Sequence, residues 1–329
     1  MRRTTVTAAL ATTLALAAPA ARANDSEAAI AVGGLTLVKS ADVVMESEDL
    51  FVSEARVTVD YVFRNTGAAD LETLVAFPLP DVENGIEVPA PDYETQLDFR
   101  TTVDGVPTPL KLVQSAHFKG ADVSARLTGL GVPLMPVAQR FDRAVNALAA
   151  DARKALVADG LIEEEGSDGK QTLWAARWTT RTSVTRTQVF PAGRPVEVSH
   201  SYKPLAGGSV GGMLEPHLRN DPEFREEVAS RARKWCLDDA FLRAYDASNR
   251  KNTVRTETWI SYVLTSGANW KGPIGSFRMV IDKGDPKSLV SFCGDGVKKI
   301  SPTRFEITAR NFTPTRDVDV LIVKPPIVP

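Results

Sequence analysis

The segment Gly207-Gly208-Ser209-Val210-Gly211 fits G-x-S-x-G, the sharp turn that presents a nucleophilic serine in α/β-hydrolases. That chemistry has positional demands. A strand must precede the serine, a helix must follow it at once, and an acid and then a histidine must come later in the chain. Val196, Val198, His200 and Tyr202 alternate up to Pro204, so a strand does precede. Residues 213–220 contain Pro216 and read as loop rather than helix. After Ser209 the sequence offers His217 alone, with Glu215 between them; His117 and His200 come earlier, in the wrong order. The spacing therefore predicts a glycine-rich loop over 205–212, with no base within hydrogen-bond reach of Ser209. A hydrolase acting on glycan or ester would have to rest on Ser209 and His200.

The remaining candidates are sparse. His200 shares a strand face with Val198 and Tyr202, the pattern of a hydrogen-bonded core histidine. The sequence has no H-E-x-x-H and no closely spaced His/Asp group, so no metal is implied. Asp317-Val318-Asp319 lacks the glycine and glutamate of a calcium loop. Gly267 and Gly272 have P-loop spacing, but Pro273 stands where the lysine belongs, and no cofactor is indicated. Trp270, between Asn269 and Lys271 in a loop between strands, has two readings. As an exposed aromatic it would stack on a sugar or dock a protein partner. Folded back, it would plug the end of a sandwich.

The elements that must position these residues are mostly strands. In the stretch from Ala55 to Phe63, Ala55, Val57, Val59, Tyr61 and Phe63 share one face, with Arg56, Thr58 and Asp60 opposite. Arg64-Asn65-Thr66-Gly67 supplies turn chemistry, and Leu71 to Phe77 reads as the returning strand of a hairpin. Alternation from Leu97 to Val103 runs into Asp104-Gly105, a hairpin turn. Further strands are expected near 182–190, 196–203, 257–265, 276–282, 288–293, 304–310 and 317–323. Two stretches break the period. Val137, Phe141, Val145, Leu148, Ala152 and Leu156 recur every three or four residues, predicting an amphipathic helix over 136–158, followed by a polar loop at 163–170. Asp221-Pro222-Glu223 starts a second helix, over 221–236. The fold class is mainly β: two antiparallel β-sandwich-like domains, 24–212 with a helical insertion and 213–329 with a helix and a β domain.

The first residues combine Arg2-Arg3, an apolar run from Val6 to Ala18 and a small-x-small Ala21-Arg22-Ala23, the signature of a signal peptide over 1–23 cleaved near Ala23-Asn24. The mature chain would be a periplasmic or secreted protein without a membrane span. Removing Arg2, Arg3 and Arg22 leaves 36 basic against 41 acidic residues, a balance that disfavours nucleic acid as a partner. In an oxidising compartment the two cysteines, Cys236 and Cys293, suit one structural disulfide tying a helix to a sheet.

Several segments resemble a bacterial secreted family, the domain of unknown function 4424: the start NDSEAAIAVGGLTLVKSADVVMESEDLFVS, the stretch YVFRNTGAADLETLVAFPLPD, and later QVFPAGRPVEVSHSYKPLAGGSV, KWCLDDAF, WISYVLTSGANWKGPIGSF and LVSFCGDG. The resemblance implies export in Gram-negative bacteria and carries no activity or catalytic residues. The FPLP-ending hairpin is also similar to the start of the vault/inter-alpha-trypsin domain. Together these readings favour a non-catalytic binding or structural module of the cell envelope, with a glycan or protein partner.

Overall fold

The computed structural model describes residues 24–31, 34–85, 90–212, 214–248 and 254–327. The expected leader at 1–23 and Met213 lie outside the described residues.

Alternation produced sheets as expected. In Val57–Asn65 the residues Val57, Val59, Tyr61 and Phe63 are buried, and the intervening ones are more open. An eight-stranded sheet runs Lys298–Lys299, Arg304–Phe312, Ile274–Asp282, Val43–Ser53, Val57–Asn65, Pro195–Tyr202, Arg100–Val103, Val106–Pro107. A seven-stranded sheet runs Ala121–Asp122, Lys111–Phe118, Thr179–Phe190, Leu71–Pro78, Ser26–Ala31, Gly34–Leu37, with Val82–Glu83 beside Thr179–Phe190. A four-stranded sheet runs Gly207–Val210, Thr256–Tyr262, Val318–Val323, Leu289–Phe292. One apolar cluster joins all three: Met45, Leu50 and Phe63 from the first, Phe77, Val184 and Phe190 from the second, Ile260, Tyr262 and Val320 from the third. Period-two strands with one apolar face stack in this way because each must bury that face against another sheet.

Four readings are corrected. Val57–Asn65 and Leu71–Pro78 do not form a hairpin: the chain crosses at 66–70 from the eight-stranded to the seven-stranded sheet. Alternation and turn residues are the same for a hairpin and a crossing, so sequence did not separate them. The eight-stranded sheet also crosses the expected boundary at 212–213, because Ile274–Asp282 pairs in parallel with Val43–Ser53 from Ser276↔Ser47 to Asp282↔Ser53. Backbone hydrogen bonds thus join the two expected units. The helix expected over 136–158 is two, Ala138–Asn146 and Ala150–Ala158, separated where Ala149 takes an extended ψ of 142°. The polar loop at 163–170 carries strand Ile162–Ser167, which pairs with Thr172–Ala176 across a bulge.

The second helix is present as a short 3-10 turn, Pro222–Phe224, capped by Asp221, and Arg225–Trp235. It stops where Cys236 adopts φ 50°, a left-handed cap. A further helix, Asp239–Ala247, starts on Asp238, whose carboxylate accepts from the Phe241 amide at 2.6 Å. Trp235, Phe241 and Tyr245 from these helices pack with Leu321 and Val323 on the outer face of the four-stranded sheet. The Cys236–Cys293 disulfide, with a Cα–Cα separation of 5.1 Å, joins the end of Arg225–Trp235 to the residue after Leu289–Phe292. No described helix is long and apolar enough to cross a membrane.

Candidate functional site

Ionisable groups concentrate inside the sandwich, around the start of the first described strand. Ser26–Ala31 pairs with Leu71–Pro78 through Ser26↔Ala76, which carries Asn24 and Asp25 in between the sheets. Asp25 accepts from Arg186 Nη2 at 2.7 Å and Nη1 at 3.3 Å, and His200 Nε2 lies 3.1 Å from the same carboxylate. Side-chain exposure is 0 % for Asp25 and His200 and 2 % for Arg186. His200 Nδ1 is 2.8 Å from the Thr101 hydroxyl. The chemistry of the partners places the proton on Nε2, facing Asp25, with Nδ1 accepting from Thr101. Burial pushes the His200 imidazole down further than the Asp25 charge pulls it up, so it is neutral near pH 7. Burial opposes ionisation of Asp25, yet the Arg186 guanidinium and His200 hold it well below the usual carboxylate range. Phe77, Phe99 and Tyr61 ring the imidazole.

A second carboxylate lies beside the first. Glu48 Oε2 accepts from Asn24 Nδ2 at 2.9 Å, and Glu48 Oε1 accepts from the Tyr262 hydroxyl at 3.3 Å. Tyr262 Oη is in turn 2.9 Å from Tyr61 Oη. Burial pushes Glu48 up to about 8, with the Asp25 charge adding to the rise against the two hydrogen bonds.

The Asn269-Trp270-Lys271 loop closes this cluster. Trp270 is 1 % exposed and Asn269 8 %, which corrects the expected exposed contact. Trp270 Nε1 donates to the Asp25 carbonyl at 2.6 Å, and its ring lies against Phe63 and Phe190. Asn269 Nδ2 donates to Ser26 Oγ at 3.0 Å. Lys271 stays outside and donates to Thr66 Oγ1 at 2.9 Å. The plug reading of Trp270 matches its position, because an indole with a buried N–H needs an acceptor and the Asp25 carbonyl supplies it.

Ser209 is not in a loop. It lies in strand Gly207–Val210, paired with Thr256–Tyr262 in the register Ser209↔Glu257, and its hydroxyl donates to Glu257 Oε2 at 3.2 Å. The expectation of no base in reach is therefore corrected: cross-strand pairing delivered a carboxylate that sequence order could not show. Burial raises Glu257, against hydrogen bonds from Trp259 and Ser209. His200 is held in the other cluster by Asp25 and Thr101, so the two residues of the hydrolase reading are not brought together. The glycines have a packing reason instead. A Cβ on Gly208 would stand 2.6 Å from the Glu257 carbonyl oxygen, so the close strand approach requires glycine there.

A groove of about 210 Å3 opens on the surface between Tyr93–Gln96 and Ala138–Asn146. Tyr93, Leu112, Gln114, Met135 and Arg140 are among its lining residues. Arg140 is paired with Asp92 at 3.3 Å and Glu94 at 3.1 Å on its rim. Among the described residues no group of three or more His, Cys, Asp or Glu is arranged to hold a metal ion.

Comparison with known families decides the family. A profile described as Domain of unknown function (DUF4424) matches residues 23–321. The chain belongs to that family. Functionally curated proteins give no match. Among solved structures, a candidate nutrient binding protein from Legionella pneumophila is similar at 14 % identity and a TM-score of 0.41, over 92 % of this chain and 70 % of that one. An M1 zinc metallopeptidase from Deinococcus radiodurans is similar at 8 % identity and a TM-score of 0.25, over 87 % of this chain and 43 % of that one.

Proposed function

We propose that this DUF4424 protein is an exported, non-catalytic module of the cell envelope that binds a protein or glycan partner at its surface. One observation carries the reading. A dense acid–base constellation among the described residues, Asp25 with Arg186 and His200, is sealed from solvent with its charged groups facing one another. A substrate has no route to such a group, whereas a partner has access to the groove between Tyr93 and Arg140. Tyr, Met and Arg are residue types that serve well in recognition surfaces. The leader at 1–23 and the disulfide support export.

The test is a glycan array together with capture from envelope extracts, using the mature protein and Arg140→Glu. Binding that the variant weakens by at least about tenfold is expected. Empty results in both assays overturn the proposal. The Ser209–Glu257 contact motivates the alternative, an envelope hydrolase acting on glycan or ester. Covalent labelling by a fluorophosphonate probe that is lost in Ser209→Ala would replace the binding reading with that one.

A further inference from the structure

The sealed cluster holds two buried carboxyl groups, Asp25 and Glu48, and among the described residues Arg186 is the buried cation paired with Asp25; with His200 neutral, the charges balance only while Glu48 keeps its proton. Asp25 takes both guanidinium contacts. Among the described residues Glu48 meets only neutral donors, the Asn24 amide and the Tyr262 hydroxyl. A buried carboxylate without a cation is costly and is normally paired or neutralised.

The residue that adjoins this carboxylate is Asn24, whose side-chain amide meets it and whose backbone meets Ser266. Its N–H donates to Ser266 Oγ, and the Ser266 hydroxyl donates back to the Asn24 carbonyl at 2.7 Å. Asn24 Oδ1 is buried and has no hydrogen-bond donor among the described residues. Gly267 leaves room for this arrangement: a Cβ there would stand 2.6 Å from Asn24 Nδ2. Ser266 is 0 % and Glu48 1 % exposed. The backbone nitrogen held by Ser266 is the one that the leader reading places at the scissile bond, Ala23–Asn24.

We propose that removal of the leader completes the interior of the fold, because the new α-ammonium of Asn24 becomes the buried counter-ion of Glu48, seated on Ser266. Water adds across the Ala23–Asn24 amide under a leader peptidase. The carbonyl carbon takes the hydroxyl as the Ala23 carboxylate, and the nitrogen leaves as the Asn24 amine and takes up a proton. An amide N–H is one donor without charge; an ammonium is three donors with a full positive charge. It keeps Ser266 and brings a full positive charge to the residue bonded to Glu48, which favours the ionised carboxylate that burial otherwise suppresses. Processing would then be a folding step as well as an export step: the unprocessed chain lacks the charge that an ionised Glu48 requires. The inference rests on the leader reading and is independent of the partner that the groove takes.

The test compares the exported protein with forms made to begin at Asn24 with a free amine, with an acetylated amine, or with one added alanine. Mass spectrometry first establishes the natural start. The native α-amine is expected to react with an acylating reagent at neutral pH at least about tenfold more slowly than in denaturant, as a group protected by burial. Acetylation or the added alanine is expected to lower Tm by about 5 °C or more. In Glu48→Gln, which keeps an acceptor for Asn24 and removes the charge, that difference should shrink to near zero. A native α-amine labelled as fast as in denaturant overturns the buried counter-ion and leaves export untouched. An exported protein that starts elsewhere than Asn24 overturns the counter-ion and the cleavage site together. Equal Tm values for free and acetylated forms also overturn the proposal.

Discussion

The Asp25 cluster and the Glu257 cluster are both buried polar assemblies, and they differ in how their charges are met. Asp25 is clamped by a two-pronged guanidinium and an imidazole, from strands Thr179–Phe190 and Pro195–Tyr202 of two different sheets. Glu257 receives a serine hydroxyl at 3.2 Å and an indole N–H at 3.3 Å. Its neighbour Arg255 lies 4.0 Å over the Tyr245 ring and donates to the Tyr245 carbonyl. Among the described residues, Glu257 Oε1 and Arg255 Nε and Nη1 have no hydrogen-bond partner, whereas His200 Nε2, also without an aligned hydrogen bond, still lies 3.1 Å from the Asp25 carboxylate. The contrast teaches that a charge held between two sheets is a clamp across the sandwich, whereas one under a helical cover is only tolerated. The first should therefore dominate stability and the second should yield cheaply to substitution.

The largest effect should come from Asp25→Ala. It strands Arg186 and His200 in the core, and loss of one partner of a buried pair costs about 3–5 kcal/mol. Urea unfolding should show a midpoint shift of that size; a loss below about 1 kcal/mol would remove the clamp from the comparison. Replacing Cys236 and Cys293 with serine tests the helical cover. Opening a loop of 57 residues should cost up to about 4 kcal/mol by chain entropy, read from the same titration. An unchanged midpoint would mean that Trp235 and Phe241 hold the cover without the bond.

The pH dependence sharpens the comparison further. Glu48 is raised in the folded state from 4.5 to about 8, facing Asp25, Tyr61 and Tyr262. A raised acid contributes stability that is complete below its unfolded value and is lost as pH rises through its folded value. The Asn24-acetylated protein should therefore lose stability steadily between pH 4.5 and 8. The free-amine form should show a flatter curve, because the ammonium favours the ionised carboxylate. Parallel curves would count against any special status for Glu48. The smallest effect is expected for Glu257→Gln, within about 1 kcal/mol at pH 7, because the carboxyl is already raised by burial and glutamine keeps an acceptor for Ser209. A loss of several kcal/mol there would make the two clusters equivalent.

Much of this was legible in residue order. Period-two runs marked the strands, and Asp104-Gly105 marked its turn, where both residues have positive φ. Asp221 marked a helix start, and the cysteine pair marked the cross-link between helix and sheet. His200 was legible as a core histidine because its strand face is apolar. The candidate site itself was not legible. Asn24-Asp25, Glu48 and Arg186 carry no mutual spacing, being brought together from two strands and the stretch before a third. Trp270 carried two readings in sequence, an exposed contact suggested by its polar neighbours and a plug of the sandwich; its indole is buried, with its N–H on the Asp25 carbonyl.

Sequence alone thus determined the local matters: which segments alternate, where they turn, which face of each strand is apolar, and that two cysteines suit one bridge. These follow from backbone sterics and from the period of side chains along a strand. Tertiary structure alone decided which sheet each strand joins, that Ile274–Asp282 runs parallel beside Val43–Ser53, that Ser209 faces Glu257, and that Asn24 and Asp25 are enclosed. Pairing across long chain separations depends on how whole faces fit together, and one strand's alternation is compatible with many partners. A buried charge is placed by that fit and not by its neighbours in the chain.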